Sequence, residues 1–90
     1  MSGVHKALSD PTRRRILQLL RSRDMTAGEL SATFDLAAST MSGHFNVLKK
    51  ADLIQPIRNG TTITYRLNVT VLQEALLELL NMFSLEPRER

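Results

Sequence analysis

The stretch Met25–Leu67, MTAGELSATFDLAASTMSGHFNVLKKADLIQPIRNGTTITYRL, decides the fold, because it predicts two short helices joined by a tight turn and then a β-hairpin. Thr26 and Glu29 have the T-x-x-E spacing of a capping box, which predicts that the first helix begins here. Leu30 and Phe34 lie four residues apart, on one face of that helix. The first helix is therefore expected to bury one side only.

A second helix follows the turn at Asp35 and Leu36, and it is predicted to run from about Ala38 to Ala51. Its apolar residues recur at helical spacing and predict one buried stripe, formed by Met41, Phe45 and Leu48. Small and polar residues occupy the other face: Ser39, Thr40, Ser42, Gly43 and Asn46. Such a face allows close approach to a DNA major groove and offers hydroxyl and amide groups to base edges. An ordinary solvated helix face is the alternative interpretation.

The predicted hairpin favours the DNA-binding interpretation. Ile54–Ile57 and Thr62–Leu67 are rich in β-branched residues and flank Arg58-Asn59-Gly60-Thr61, in which Asn-Gly is a strong hairpin signal because both residues tolerate positive φ. Alternation in the second strand predicts a packed face of Ile63, Tyr65 and Leu67 and a wet face of Thr62, Thr64 and Arg66. The whole order predicts a mainly α winged helix-turn-helix with a small β-hairpin. Arg58 and Asn59 at the wing tip are expected to reach phosphate or the minor groove.

Two helices are predicted ahead of this motif. A short one extends from about Gly3 to Leu8, and a longer one begins at Asp10-Pro11, with Asp as N-cap and Pro in the first position, and runs to about Arg21. Its core face consists of Ile16, Leu17 and Leu20. We expect Arg14 to pair with Asp10 at i, i+4, and the neighbouring arginines to lie on a solvated surface rather than bind phosphate.

The last helix, predicted from about Thr70 to Leu85, has too much apolar surface for a small domain to cover. Its stripe comprises Leu72, Leu76, Leu79, Leu80 and Phe83. An uncovered stripe of this kind indicates an interface, and a self-complementary terminal helix fits a two-fold homodimer. Val4 and Leu8 are expected to join the same interface. The alternative is that this helix lies deep in a monomer core.

Length and composition limit the remaining possibilities. A chain of 90 residues predicts one domain, divided into N-terminal helices (1–24), helix-turn-helix (25–51), wing (53–67) and C-terminal dimerisation helix (69–86). The absence of cysteine excludes disulfides, thiolate catalysis and cysteine metal sites. No signal peptide and no membrane-spanning stretch is recognisable, so we expect a cytoplasmic protein without membrane insertion.

Positive charge accompanies the helix-turn-helix and the wing. Residues 1–67 carry ten Lys and Arg against five Asp and Glu, whereas the last 23 residues carry two against four. A surface that binds a polyanion requires such a distribution. Lys49, on the last turn of the second motif helix, and Arg58 are the basic candidates for DNA contact.

Three segments together resemble the arsenic-repressor (ArsR/SmtB) family of small dimeric winged-helix repressors: DPTRRRILQLL, the MTAGE to KKADLI block, and RNGTTITYRL. Within that family, the SDPTRRRIL opening, the MTAGE start and LNVTVLQ are most similar to the sporulation-delaying autorepressor type. The resemblance implies that Ser39, Thr40, Ser42 and His44 contact bases and phosphates, with Arg58 at the wing. Relatives usually carry Arg or His where this chain has Gly43, so more of the sequence discrimination is expected from Ser and Thr contacts and DNA shape.

Many members of that family sense metals, but these residues argue against it here. Thr26 and Gly28 stand where the family's metal box has thiolates, and the last helix has neither His nor Asp. His5 and His44 alone do not make a tetrahedral site, so we expect no metal and no cofactor.

The sequence thus predicts a homodimeric repressor that binds double-stranded DNA at a palindromic operator, and autoregulation is an extension of that prediction. A sequestering partner protein is suggested by analogy with the autorepressor type. The alternative function is a winged-helix module whose apolar last helix binds a partner protein and which does not bind DNA. No catalytic constellation and no glycine-rich phosphate loop is present, so an enzyme is not expected.

Overall fold

A computed structural model describes residues 3–83 and places them in five helices and one three-stranded antiparallel sheet. The elements in chain order are α1 (Val4–Leu8), α2 (Pro11–Ser22), β1 (Met25–Thr26), α3 (Ala27–Thr33), α4 (Ala38–Lys50), β2 (Ile54–Asn59), β3 (Thr62–Leu67) and α5 (Val69–Met82). The predicted winged helix-turn-helix is confirmed. The end of the predicted dimerisation helix, residues 84–86, lies outside the described residues.

Side-chain caps fix the beginnings of α2 and α3, as the sequence predicts. The Asp10 carboxylate accepts a hydrogen bond from the backbone N–H of Arg13 at 3.1 Å, and Pro11 occupies the first helical position. The Thr26 hydroxyl accepts from the Glu29 N–H at 3.0 Å, while the Glu29 carboxylate accepts from the Thr26 N–H at 2.9 Å. Both bonds of the capping box are therefore present.

Two of the three arginines at the start of α2, Arg13 and Arg14, differ from the expectation. Arg14 donates from Nη1 to the carbonyl of Leu8 at 2.9 Å instead of pairing with the N-cap carboxylate. Arg13 donates from Nε to the carbonyl of Ala7 at 3.0 Å and from Nη2 to that of Lys6 at 2.8 Å. The last carbonyls of a helix have no partner within it, so these two arginines cap the C-terminus of α1.

The sheet contains one strand that the sequence did not predict. β1 pairs with β3, with Met25 opposite Tyr65 and Thr26 opposite Thr64, and the strand order is β1-β3-β2. Two residues are too few to show the alternation that predicts a strand. Because of this pairing, the wing is hydrogen-bonded to the body of the domain along β3.

The hairpin is confirmed, but its loop is shorter than predicted. Arg58 and Asn59 belong to β2, Asn59 lies opposite Thr62, and the loop consists of Gly60 and Thr61. Gly60 has a φ of 63°, and it is the loop residue with positive φ. A positive φ at the first of two loop residues is the type II′ pattern, in which the right-handed twist of the strands continues through the turn.

The core is formed by the stripes that the sequence predicts. It includes Ile16, Leu17 and Leu20 of α2, Leu30 of α3, and Met41, Phe45 and Leu48 of α4. Val4 also belongs to it, with 3% of its surface exposed. A side chain so deeply buried has almost no surface left for a second subunit, so the structure places Val4 in the core of its own chain and not on the predicted dimer face.

A tight turn connects α4 to the wing. Asp52 adopts a φ of 58°, its N–H donates to the carbonyl of Lys49 at 2.9 Å, and the Leu53 N–H donates to that of Leu48 at 3.0 Å. These two bonds and the burial of both leucines form a Schellman motif. The motif sets the direction in which the chain leaves α4 to enter β2.

Candidate nucleic-acid interface

Helix α4 has one buried and one exposed face. Met41 and Leu48 are fully buried and Phe45 is 6% exposed, which confirms the predicted apolar stripe. The residues named for the other face are all exposed: Ser39, Thr40, Ser42, Gly43 and Asn46. The exposed side therefore offers two serine hydroxyls, a threonine hydroxyl and an amide, with a glycine among them that allows close approach.

Lys50, and not Lys49, is the basic residue in line with this face, at the C-terminal end of α4. Lys49 is half-buried, whereas Lys50 is exposed. Ser39, Gly43, Asn46 and Lys50 follow one another at spacings of four, three and four residues, which on a helix of 3.6 residues per turn form one line. Lys50 is not among the predicted contact residues, although the helical spacing from Ser39 is sufficient to identify it.

A basic cleft lies where α1 meets the C-terminal half of α4. It has a volume of about 230 Å³ and is lined by Gly3, Lys6, Asn46, Val47 and Lys50. Neither lysine has a carboxylate within ion-pair distance among residues 3–83. Two uncompensated ammonium groups beside an amide provide a surface that attracts phosphate.

Two other arginines of the domain are already paired with carboxylates. Arg66 donates to Asp24 through Nε at 3.1 Å and Nη2 at 2.9 Å, and this pairing raises the pKa of the Arg66 guanidinium. Arg23 lies 3.2 Å from the carboxylate of Glu29. Within the described part of the chain, Arg58 has no such partner. The wing therefore presents Arg58 as a free cation beside exposed Asn59.

His44 differs from its neighbours on α4 because it is held in a polar cluster. Its Nδ1 lies 3.2 Å from Nη1 of Arg13 and 3.9 Å from Oδ2 of Asp10, and its side chain is 15% exposed. The pKa of Asp10 is lowered chiefly because its carboxylate accepts the Arg13 N–H, with smaller effects of His44 and the Arg13 charge. His44 thus lies at the margin of the exposed face.

Helix α5 contributes little to the core of its own chain. Ala75 is its one buried residue, and Leu72 and Leu79 are half-buried. Leu76, Leu80 and Phe83 are 48, 49 and 66% exposed. Leu8 of α1 is half-buried and packs against the core. The structure therefore leaves an apolar stripe on α5 uncovered and rules out the alternative of a helix deep in a monomer core.

Residues 3–83 contain neither a metal-binding cluster nor a membrane-spanning helix. No three His, Cys, Asp or Glu side chains in this range are close enough together to hold a metal ion. No helix in the same range is long and apolar enough to cross a membrane.

The fold and the exposed surface together define a winged helix-turn-helix DNA-binding domain. Similarities of sequence and structure to known proteins support this assignment. Residues 8–57 match the family described as "Helix-turn-helix domain". The transcriptional repressor SdpR of Bacillus subtilis (strain 168) is 46% identical over 84 residues, which are 93% of each chain. The chain belongs to the ArsR family of winged helix-turn-helix transcriptional regulators. It is a transcriptional regulator with a DNA-binding domain, and not an enzyme.

Solved structures of this family have the same architecture. A possible transcriptional regulator for arsenical resistance has a TM-score of 0.78 at 36% identity, over 90% of this chain and 83% of that one. The homodimeric winged helix-turn-helix domain of Mb0332 from Mycobacterium bovis has a TM-score of 0.73 at 26% identity, over 99% and 84% of the two chains.

Proposed function

We propose that this chain is a homodimeric transcriptional repressor that binds a palindromic operator. Helix α4 lies in the major groove, and the wing lies on the adjacent backbone or minor groove. The observation that carries the proposal is the pair of contrasting faces on α4: its apolar side is buried, while its small polar side is exposed. If α4 only supported the fold, its exposed face would not require a line of small and polar residues.

Different residues have different roles in this arrangement. Ser39, Thr40, Ser42 and Asn46 contact base edges, and Gly43 lets the helix backbone come close to them. Lys50 and Arg58 contact phosphates, with Asn59 beside Arg58 at the wing tip. Lys49, which is half-buried, lies at the edge of the interface.

The dimer forms through α5. Among residues 3–83, six of the eight large apolar side chains that are strongly exposed belong to the segment 69–83. The stripe of Leu76, Leu80 and Phe83 offers a second copy a surface that resembles the inside of a protein. Homodimeric Mb0332 supports this assignment, since its domain has the same fold. A two-fold dimer places its two α4 helices on successive half-sites of a palindrome.

We further infer that this chain represses its own gene. The similarity to a transcriptional repressor over 93% of both chains supports repression. The resemblance of SDPTRRRIL, MTAGE and LNVTVLQ to the autorepressor type supports an operator upstream of the chain's own gene. A partner protein that covers α4 or α5 then lifts repression, because it competes with DNA or with the second subunit.

Metal ions have no part in this regulation. Thr26 and Gly28 supply no thiolate, and α5 supplies neither His nor Asp. His44 directs Nδ1 toward a guanidinium, which excludes a cation from that nitrogen. Zinc, cadmium or arsenite at low micromolar concentration is expected to leave DNA affinity unchanged, because an effector must bind one state preferentially to shift the equilibrium. Stoichiometric release of DNA by a metal, reversed by a chelator, would contradict this.

Selection from a random duplex pool tests the main proposal. The wild-type chain should enrich an inverted repeat of about 20 base pairs, since half-sites lie one or more helical turns apart. Fluorescence anisotropy with that duplex and with a scrambled duplex of equal composition gives the specificity ratio, and sedimentation gives the subunit number. Equal affinity for both duplexes, with α5 capturing another protein, would favour the alternative of a protein-interaction module.

A further inference from the structure

Arg13 connects three helices through one guanidinium group. Its Nε and Nη2 donate to the carbonyls of Ala7 and Lys6 at the end of α1, and its Nη1 lies 3.2 Å from Nδ1 of His44 on α4. Arg13 itself belongs to α2, and 31 residues separate it from His44. The two carbonyl contacts fix the plane of the guanidinium group. The direction in which Nη1 points toward His44 is therefore fixed as well.

The contact determines which nitrogen of His44 carries the proton. A guanidinium has only donors, so Nδ1 must be the acceptor, and the proton of the neutral imidazole lies on Nε2. Asp10 is the one competing acceptor near this nitrogen, but its Oδ2 is 3.9 Å away, which is beyond hydrogen-bond distance. Nδ1 therefore accepts a hydrogen bond from Arg13 and does not donate one to Asp10.

The protonated nitrogen is directed away from the cluster. Nε2 makes no hydrogen bond with residues 3–83, and no buried side-chain nitrogen or oxygen in this range lacks a partner. Nε2 consequently reaches solvent, at the margin of the exposed face of α4. A donor at the margin of a groove-binding helix meets the sugar-phosphate backbone rather than the base edges.

We propose that Arg13 is a positioning residue for DNA binding: it holds His44 in the Nε2–H tautomer and so aims a fixed hydrogen-bond donor from α4 at a phosphate oxygen. This inference rests on the proposed function and adds to it a residue that does not touch DNA. It also explains why an arginine caps α1 here, since the same side chain serves both helices. The packing of α1 against α2 thereby determines which nitrogen of His44 on α4 can donate a hydrogen bond.

Nitrogen-15 NMR of the free chain tests the tautomer directly. At about pH 8, His44 should show an unprotonated Nδ1 and a protonated Nε2. In Arg13→Met the nearest charged group is Asp10, an acceptor, so the proton should move toward Nδ1. Arg15→Met removes the same charge from the same helix and should leave the His44 signals unchanged. A wild-type Nδ1–H tautomer, or an Arg13→Met spectrum identical to wild type, would overturn the proposal.

Substitutions of His44 test the contact with DNA. The amide nitrogen of His44→Gln extends about as far as Nε2, whereas that of His44→Asn extends only as far as Nδ1. His44→Asn should lower affinity about tenfold for both the selected and the scrambled duplex, as expected for one lost bond to a charged group, and His44→Gln should lose less than about threefold. Arg13→Met should behave like His44→Asn, and Arg15→Met more mildly.

The NMR measurement and the DNA-affinity measurement distinguish failure of this inference from failure of the proposed function. The tautomer is measured without DNA, so its result holds whatever the chain binds. A wild-type chain that does not distinguish the two duplexes contradicts the operator proposal. Loss of binding by His44→Asn on the selected duplex alone would place Nε2 on a base, and this outcome would overturn the phosphate assignment.

Discussion

The rings of Phe45 and Tyr65 pack with their centroids 4.8 Å apart and their planes inclined by 34°. Phe45 lies on the buried face of α4, and Tyr65 lies on β3, the central strand of the sheet. Both are almost completely buried, and burial raises the pKa of the Tyr65 hydroxyl. This contact, together with the turn at Asp52, holds α4 and the wing at a fixed relative position.

A double-mutant cycle measures the strength of that contact. Phe45→Leu and Tyr65→Leu should each lower the free energy of unfolding, and the coupling between them should be about 0.5–1.5 kcal/mol beyond simple burial. Tyr65→Phe, which keeps the ring, should retain the coupling. Urea unfolding of wild type, the two leucine single variants and their double variant gives the coupling, and a second cycle with Tyr65→Phe in place of wild type gives the control. Strictly additive losses would show that the rings act only as apolar volume.

The division between residues that specify sequence and residues that bind the backbone can be tested with single alanine substitutions. Thr40→Ala or Ser42→Ala should weaken binding to the selected duplex by about 1–3 kcal/mol while changing affinity for the scrambled duplex little. Arg58→Ala and Lys50→Ala should weaken both similarly and reduce the slope of log affinity against log salt by about one each.

Arg66→Ala is the control for the charge argument. Arg66 is also basic, but it is already paired with Asp24, so its removal should change the salt slope less than removal of Arg58 does. If neither Thr40→Ala nor Ser42→Ala alters the ratio of specific to random affinity, then α4 does not lie in the major groove.

The apolar stripe on α5 predicts the effect of charge on assembly. Leu76→Glu with Leu80→Glu should give a monomer that remains folded, because both side chains are about half-exposed and outside the core. Its DNA affinity should fall strongly, since the second half-site no longer contributes avidity. Sedimentation and anisotropy give the two readouts. Asn81→Glu, exposed on the same helix about 100° around from Leu80, should leave a dimer. A wild-type chain that sediments as a monomer at micromolar concentration would contradict the interface.

Local features of the fold were predictable because their causes are local. The caps at Asp10 and Thr26, the stripe of α4 and the hairpin each depend on residues within a few positions of one another. A capping side chain or an apolar period of this kind is stable in many tertiary contexts, so it can be recognised in the sequence alone.

Features that depend on distant contacts were missed or assigned wrongly. The roles of Arg13 and Arg14 depend on where α1 ends in space, and the burial of Val4 depends on how α1 packs against α2 and α4. β1 exists because β3 lies beside it, and its two residues have no pattern of their own. Lys50 is a different case, since helical spacing from Ser39 identifies it without a structure.

Gly43 is expected to lower the stability of α4 and to allow its backbone to come close to DNA. A Cβ built at this position meets nothing within 4 Å, so Gly43→Ala should raise the free energy of unfolding by about 0.5–1 kcal/mol through helix propensity alone. The added methyl stands on the exposed line of α4 that we propose to face DNA, so affinity for the selected duplex should fall. Gly28→Ala on α3 is the matched control, and it should leave DNA affinity unchanged. A Gly43→Ala chain with undiminished affinity would show that the helix does not approach the groove closely.

The N-cap carboxylate of α2 makes stability depend on pH in a predictable direction. The pKa of Asp10 in the folded chain lies below its ordinary value of 3.8, mainly because the Arg13 N–H donates to the charged form. A carboxyl group whose pKa is lowered by folding stabilises the fold above pH 3.8, and this contribution is lost as the pH falls through the folded-state pKa.

Asp10→Asn isolates this contribution, because asparagine is also a good N-cap but carries no charge at any pH. Wild type should therefore be more stable than Asp10→Asn at neutral pH. The difference should decrease as the pH falls below 3.8 and disappear below the folded-state pKa of Asp10. Glu29, whose pKa is lowered by the Thr26 N–H and by Arg23, is present in both chains and cancels in the comparison. Urea unfolding of the two chains between about pH 2 and pH 7 gives the two stability curves. A difference that stays constant across this range would mean that the Asp10 charge contributes nothing and that the cap acts through hydrogen-bond geometry alone.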